Sequence, residues 1–205
     1  ATVILNSDDP QVVHLGRNLI AQAKYFGIDQ PKLFIKNLEH ATDSIFCLNC
    51  GGRLTYSGIY YSHIGIWNCD SCGERRPKPN LNNWKSPISG LYNLYNTLAA
   101  VSVAKSLKIS NETIESALNN FKPAFGRQEE FVVNGKKVKI FLSKNPTGFN
   151  QSLKTVLELG ATQVLLVLND RIPDGRDVSW IWDVDFEMLP AFFTPVVSGD
   201  RCYDL

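Results

Sequence analysis

The sequence carries almost no net charge, with 21 Lys and Arg against 20 Asp and Glu over 205 residues. That balance excludes the basic footprint of a nucleic-acid-binding domain, so no nucleic-acid partner is expected. No apolar run approaches the roughly eighteen residues that signal a membrane span. The N-terminus also lacks the layout of a secretory leader, and the expectation is a cytosolic, globular protein. Histidine is scarce, at three residues, and His14 and His40 stand alone. No nucleophile–histidine arrangement, G-x-S-x-G elbow or Gly-Lys-Thr/Ser phosphate loop occurs. Internal repeats and low-complexity tracts are missing as well. The chain starts with Ala1 directly at an apolar strand and stops at Leu205 just after another, without initiator methionine or tail. It reads as a fragment, with material expected at both ends.

Cysteine is scarce but concentrated. Four of the five cysteines fall in two C-x-x-C pairs, Cys47/Cys50 and Cys69/Cys72, separated by eighteen residues, and Gly51 and Gly73 follow the second cysteine of each pair. Two such pairs can give four thiolates to one ion, and the glycines let the backbone turn around it. The residues between, Arg53 to Asn68, alternate Tyr, Ile and Trp with Gly and Ser as a short hairpin would. The expectation is a zinc ribbon whose metal is structural, because four thiolates leave no open coordination position. Two disulfides are the alternative, and nothing else in the chain suggests secretion. His63 lies inside the ribbon but off the ligand spacing, and reads as a surface residue. Cys202 reads as a buried free thiol.

Along the chain, Thr2 to Leu5 reads as a strand and Pro10 to about Lys24 as a helix, with Val12, Val13, Leu15, Leu19 and Ile20 as its apolar stripe. Lys32 to Ile35 reads as a second strand, and Arg75 to Ser89 as a loop returning from the ribbon. Leu91, Leu94, Leu98, Val101 and Ala104 share a helical face. Ser110 caps a following helix with Ile114, Ala117, Leu118 and Phe121 inward. After a junction at Lys122 to Arg127 come a hairpin around Asn134-Gly135, a helix from Asn150 to Leu159, a strand from Val164 to Leu168, a segment from Ser179 to Leu189 that is amphipathic if helical, and a strand near Phe193 to Val197. Strands alternating with helices predict an α/β fold with a mostly parallel sheet.

Four stretches carry possible chemistry. Asn6-Ser-Asp-Asp9-Pro10 stands at a strand end, where open α/β sheets bind ligands, and equally suits an ordinary helix N-cap. Asn93 and Asn96 put two amides three apart on one helical face, able to read a planar base or to face solvent. Arg127 after Gly126 offers a guanidinium for phosphate or ribose, or an ion pair with Glu129 or Glu130. Finally Asp170, Asp174, Asp177, Asp183 and Asp185 fall within sixteen residues, with Trp180 and Trp182 among them. They suit a metal, a phosphate, a catalytic carboxylate or a solvated loop. On a helix, Ile181, Val184 and Met188 would share one face, leaving Asp183 on the opposite one and Asp185 nearer the apolar side. An outward carboxylate beside tryptophans fits a partner surface.

Taken in order, these stretches resemble the Mur ligase superfamily of ATP-dependent amide-forming ligases. Asn6 to Pro10 is similar to the strand-end motif of its central ATPase domain. Gly90 to Ala100 is similar to its G-x-H-N-x-x-N-x-x-A-A helix, and Gly126-Arg127-Gln-Glu129 to the G-R-x-E that opens its C-terminal domain. The ribbon, Lys144 to Asn150 and Asp174 to Asp183 narrow the resemblance to the MurT family of lipid II isoglutaminyl synthase subunits. The resemblance implies residues 1–125 as the C-terminal part of a central ATPase domain, with the ribbon inserted at 44–76, and 126–205 as a Rossmann-like α/β C-terminal domain. It implies ATP with Mg near Asn93, Asn96 and Arg127, and zinc on Cys47, Cys50, Cys69 and Cys72. It implies a cytoplasmic enzyme working at the inner membrane surface, amidating the D-glutamate α-carboxylate of lipid II with ammonia from a class I glutaminase of the GatD type. One aspartate of this chain then completes the glutaminase triad: Asp183 by preference, with Asp177 and Asp185 as fallbacks.

Tyr92 and Lys144 stand where most Mur ligases have histidine, so substrate handling should differ from the amino-acid-adding members. The phosphate loop and the magnesium-binding glutamate have no counterpart here; in a fragment both would lie before Ala1, and this piece should not hydrolyse ATP. Other readings are another Mur-type amide ligase, adding an amino acid or glutamyl unit, and a zinc-ribbon binding module. Against the latter, Arg75, Arg76 and Lys78 are the only basic cluster near the ribbon, too few for strong phosphate binding.

Overall fold

A computed structural model describes residues 1–36, 39–123 and 126–205, in two units, Ala1–Lys122 and Pro123–Leu205. In the first, β1 (Thr2–Asn6) and β2 (Gln22–Phe26) pair in parallel, from Thr2 opposite Gln22 to Asn6 opposite Phe26. Helix α1 (Pro10–Leu15) lies between them. It stops far short of the expected Lys24: a Cβ on Gly16 would lie 2.6 Å from Leu5 Cδ1, and Asn18 takes φ 56°, so the chain turns there and feeds β2. The strand expected at Lys32 to Ile35 is a 3-10 turn, Pro31–Leu33, with one bridge between Ile35 and Ile59. Pro31 begins the turn, where its fixed φ fits and its missing N–H costs nothing.

β3 (Leu54–Tyr61) and β4 (Ile64–Cys69) form the antiparallel hairpin expected between the cysteine pairs. Tyr60 and Ile64 of this hairpin share a core with Phe26, Ile28, Tyr95 and Leu98. A second cluster joins Val13 with Cys47, Leu54, Trp67 and Cys69. The ribbon is therefore packed into the unit and is no free-standing module. Helix α2 (Leu91–Ser106) buries Asn93, Tyr95, Thr97, Leu98, Val101 and Ser102, a face more polar than the leucine stripe predicted. Helix α3 (Asn111–Asn119) has Ser110 as its N-cap, accepting from the Thr113 N–H, and buries Ile114. Ala117 and Phe121, expected inward, are exposed because α3 is short and offers only a narrow face.

In the second unit, β5 (Arg127–Val133) and β6 (Lys136–Phe141) form a hairpin. Asn134 and Gly135 at its tip take φ 50° and 76°, the two positive values a type I′ turn needs. Helix α4 (Pro146–Glu158) starts before the expected Asn150, because the Asn145 side chain caps it through the Gly148 N–H at 2.7 Å. β7 (Leu165–Val167) and β8 (Val196–Ser198) pair in parallel. Leu153, Leu166, Leu168, Val178, Ile181 and Val184 form the core. The segment after Val178 is not one helix: two 3-10 turns, Ser179–Asp183 and Phe186–Met188, are broken at Val184, which is extended. Nor do the described strands form one parallel sheet. They make four two-stranded sheets, two parallel and two antiparallel, because both hairpins close on themselves.

Candidate functional site

The cysteine pairs build two matching knuckles. In one, Gly51 N–H donates to Cys47 O at 2.8 Å; in the other, Gly73 N–H donates to Cys69 O at 2.9 Å. Both glycines take positive φ, 74° and 76°, where any other residue is strained. All five cysteines are free thiols, which removes the disulfide alternative. The four sulfurs lie within 4.8 Å of one another, with Cys47 Sγ 3.7 Å from Cys72 and Cys50 Sγ 3.5 Å from Cys69. A tetrahedral zinc with Zn–S bonds of about 2.3 Å has S–S edges of about 3.8 Å, so this donor set fits such an ion. Against a lowering bond from the Gly52 N–H, the Cys69 and Cys72 thiols push Cys50 up to about 12. Bonding from Asn49 brings Cys72 down to about 7. A bound cation would displace the remaining thiol protons. Among the described residues no other group of three or more His, Cys, Asp or Glu can hold a metal, and the unit 2 aspartates do not gather into one.

The strand-end motif splits into two roles. Asp9 is the N-cap of α1, accepting from Gln11 N–H at 2.8 Å and Val12 N–H at 3.2 Å. Burial opposes its charge, but the His63 ring and those N–H groups outweigh it and hold the carboxyl below its ordinary value. His63 is not a surface residue: its side chain is 12% exposed, with Nε2 3.6 Å from Asp9 Oδ1. Its Nδ1 lies 3.3 Å from Ser62 Oγ. That echoes a nucleophile triad, but Ser62 is buried and donates to Ala41 O, so it offers no accessible nucleophile.

Asp8 is fully buried (0% exposed). Its Oδ1 accepts from Arg76 Nε at 2.6 Å and Ser7 Oγ at 2.8 Å; its Oδ2 accepts from Ile28 N–H at 2.8 Å and Tyr95 Oη at 2.6 Å. Arg76 also reaches Asp29 Oδ1 at 2.8 Å and Ile28 O at 3.0 Å. Burial opposes the guanidinium's charge, but Asp8 and Asp29 raise its pKa further. Burial, then Asp8, keeps the Tyr95 phenol protonated far above its usual range. The sequence grouped Arg76 with Arg75 and Lys78 as a basic cluster near the ribbon and gave Tyr95 no role. Sixty-eight positions separate Arg76 from Asp8, and no spacing rule connects them.

Of the two α2 amides, Asn93 is buried and donates from Nδ2 to Ser89 O at 2.6 Å, while Asn96 is exposed. Arg127 is exposed at the start of β5 in the second unit. Glu130 pairs with Lys137 and Lys139, and Glu129 accepts from the Gly126 N–H.

The three candidate aspartates differ. Asp177 accepts from the Ser179 N–H at 2.9 Å, and bonding to Ser179 lowers its pKa. Asp185 is half-buried, exchanging two hydrogen bonds with buried Asn150, at 2.7 and 2.9 Å. Asp183 is exposed beside Trp182, which is 76% exposed. Asp170 pairs with Arg201, and Asp200 with Arg171. Cys202, expected to be buried, is half-buried in a 3-10 turn, Cys202–Asp204. Among the described residues no helix is long and apolar enough to cross a membrane.

Residues 142–205 match the family described as MurT ligase C-terminal. The subunit MurT of lipid II isoglutaminyl synthase (glutamine-hydrolyzing) from Streptococcus pneumoniae is 33% identical, over 97% of this chain and 48% of its own length. That of Staphylococcus aureus strain COL is 34% identical, over 99% of this chain and 50% of its own. The chain thus spans about half the length of the curated relatives it matches. Among solved structures, a pseudomurein peptide ligase type C from Methanothermus fervidus superposes with a TM-score of 0.70 at 24% identity. It covers all of this chain, which spans 46% of the ligase, and the likeness is one of fold.

Proposed function

From its likeness to MurT subunits we propose that the chain belongs to the MurT family and forms part of the ligase subunit of a glutamine-dependent amidotransferase. The observation carrying the reading is the identity of 33–34% to MurT subunits over 97–99% of the chain. The reaction is an ATP-dependent amidation of the D-glutamate α-carboxylate in the lipid II stem peptide. ATP with Mg activates that carboxylate as an acyl phosphate, and ammonia from a class I glutaminase partner displaces the phosphate. Residues 1–125 act as part of a Mur-type central ATPase domain with the ribbon inserted at 44–76, and 126–205 as a C-terminal domain. The enzyme works in the cytoplasm at the inner membrane surface.

Each residue has a task in this reading. Cys47, Cys50, Cys69 and Cys72 hold a structural zinc; with four thiolates the ion has no free position for substrate. Asn93 and Asn96 are the nucleotide-binding candidates of the first unit, Asn96 on the exposed side of α2 and Asn93 beneath it, and Arg127 is the candidate of the second. The partner glutaminase contributes cysteine and histidine, and Asp183 supplies the carboxylate that orients the histidine and stabilises its imidazolium form. Such a carboxylate has to be accessible and free of competing bonds. Asp183 suits this better than Asp177, which caps Ser179, or Asp185, which is tied to Asn150.

The test is ammonia release by a GatD-type glutaminase mixed with the zinc-loaded chain. Asp183→Asn should remove the activation while leaving complex formation intact; Asp177→Asn and Asp185→Asn should retain most of it. Activation that survives Asp183→Asn refutes the residue. No complex with a folded chain refutes the partner, leaving a Mur-type amide ligase that adds an amino acid or glutamyl unit.

A further inference from the structure

We infer that the metal knuckles and helix α2 are thermodynamically coupled, through a positioning relay of Arg76, Asp8 and Tyr95. The inference rests on the reading of the four cysteines as a zinc site, and extends it to the α2 amides proposed as nucleotide-binding candidates.

The relay begins at the second knuckle. Past Cys72 the chain runs back antiparallel to β4: Cys69 N–H donates to Glu74 O at 2.7 Å, Asn68 pairs with Arg75, and Arg76 N–H donates to Trp67 O at 2.9 Å. A slip of one residue in that short ladder would turn the Arg76 side chain to the opposite face. What fixes the register is the tight turn of the knuckle, and an ion held by Cys69 and Cys72 clamps that turn. The same strand grips the Ser7–Asp8 segment through its backbone. Trp67 Nε1 donates to Ser7 O at 3.0 Å and Gly65 N–H to Asp8 O at 2.9 Å.

From there Asp8 passes the constraint on. One carboxylate oxygen is held by Arg76 from the ribbon's return strand, and the other receives the Tyr95 hydroxyl from α2. Tyr95 lies two residues after Asn93 and one before Asn96, so its seating sets the rotation of the helical turn that carries both amides. Asp8 has no exposure to solvent, so water cannot replace Arg76 without opening the core. The arrangement therefore has two linked states: ladder in register with Asp8 neutralised and Tyr95 docked, or ladder loosened with both lost. Neither Arg76 nor Tyr95 supplies a metal ligand. They are positioning residues.

Linkage is reciprocal: if zinc stabilises the relay, breaking the relay must weaken zinc. The experiment measures zinc affinity of the purified 205-residue chain by competition with a chromophoric chelator, and amide hydrogen exchange with and without zinc. Arg76→Gln, with all four cysteines intact, should weaken zinc by about 5–150-fold, the usual span of such couplings. Arg76→Lys should recover part of that loss. Tyr95→Phe removes only a hydroxyl and keeps the fold testable should Arg76→Gln fail to fold. It should speed exchange in the first turns of α2 and weaken zinc by a smaller factor. Zinc removal should speed exchange at Ile28 and the start of α2 while leaving α4 unchanged. Ile114→Ala, which destabilises α3 away from the ribbon, should leave zinc affinity unmoved.

Unchanged zinc affinity in both Arg76→Gln and Tyr95→Phe overturns the inference, as does an equal loss in Ile114→Ala, which would be general destabilisation. A wild-type chain that binds no zinc overturns the metal reading itself and the inference with it, a failure distinguishable from the other two.

Discussion

Replacing Gly27 by alanine adds one methyl group at the centre of the first unit. A Cβ there would lie 2.2 Å from Ser7 Oγ, 2.3 Å from Asp8 Oδ1 and 3.0 Å from Arg76 Nη2. The obstacle is crowding and not backbone conformation, since Gly27 does not take a positive φ. Ordinary contact needs about 3.5 Å, so Ser7 and Asp8 must each retreat by about 1 Å. Overpacking alone costs about 1–3 kcal/mol. The retreat also strains a fully buried carboxylate whose pairing with Arg76 would cost about 3–5 kcal/mol to break outright. A loss of about 3 kcal/mol is therefore expected. Urea unfolding of the zinc-loaded chain, followed by tryptophan fluorescence, measures it as a lower midpoint at unchanged slope. In a thermal scan the first unit should melt roughly 10 °C earlier. A loss below about 1 kcal/mol would refute the reasoning, because it would mean that Ser7 and Asp8 move freely and the carboxylate is not held.

Thiol titration with a disulfide reagent should modify only Cys202 quickly in the zinc-loaded chain, and all five cysteines once a chelator is added; five fast thiols before chelation would contradict a bound metal. Acid stability should depend on Asp9. Its folded carboxyl lies below the ordinary value of 3.8, so its contribution is complete above about pH 4 and is lost as pH falls through the lower folded value. Asp9→Asn should flatten that acid limb in urea unfolding between about pH 2 and 5 while keeping an N-cap side chain. Asn150→Ala should cost the second unit about 2–3 kcal/mol, because it strands the Asp185 bonds of a fully buried amide. It should leave zinc affinity in the first unit unchanged.

Local chemistry was readable from the sequence wherever it was written in neighbouring residues. The C-x-x-C-G pairs specify their own turns, Asn134-Gly135 specifies a type I′ tip, and Ser110 a cap, and all three stand in the structure. Helix α1 shows the limit. Its apolar stripe continues to Ile20, yet Gly16 must approach Leu5 and the chain is needed as a partner for β1, so tertiary contact overrides the helical period. The same limit hid the Asp8 cluster. A motif placed Asp8 at a strand end, but its partners come from a return strand and a helix far along the chain, and pairing over that distance leaves no periodic trace. The α2 face misled for a related reason. Tyr95 and Asn93 are buried because each has a hydrogen-bond partner, which a hydrophobicity pattern cannot register. In the second unit, the 3-10 turns still leave Asp183 exposed and Ile181 and Val184 buried, because those turns nearly match a helix in phase over so short a span.

The central claim is that this chain is the partner of a glutaminase, and isothermal titration of the zinc-loaded chain with a GatD-type class I glutaminase tests it most directly. The account predicts saturable one-to-one binding, which supports the two-subunit amidotransferase. A folded, zinc-loaded chain that gives no heat and no complex at any concentration would contradict it.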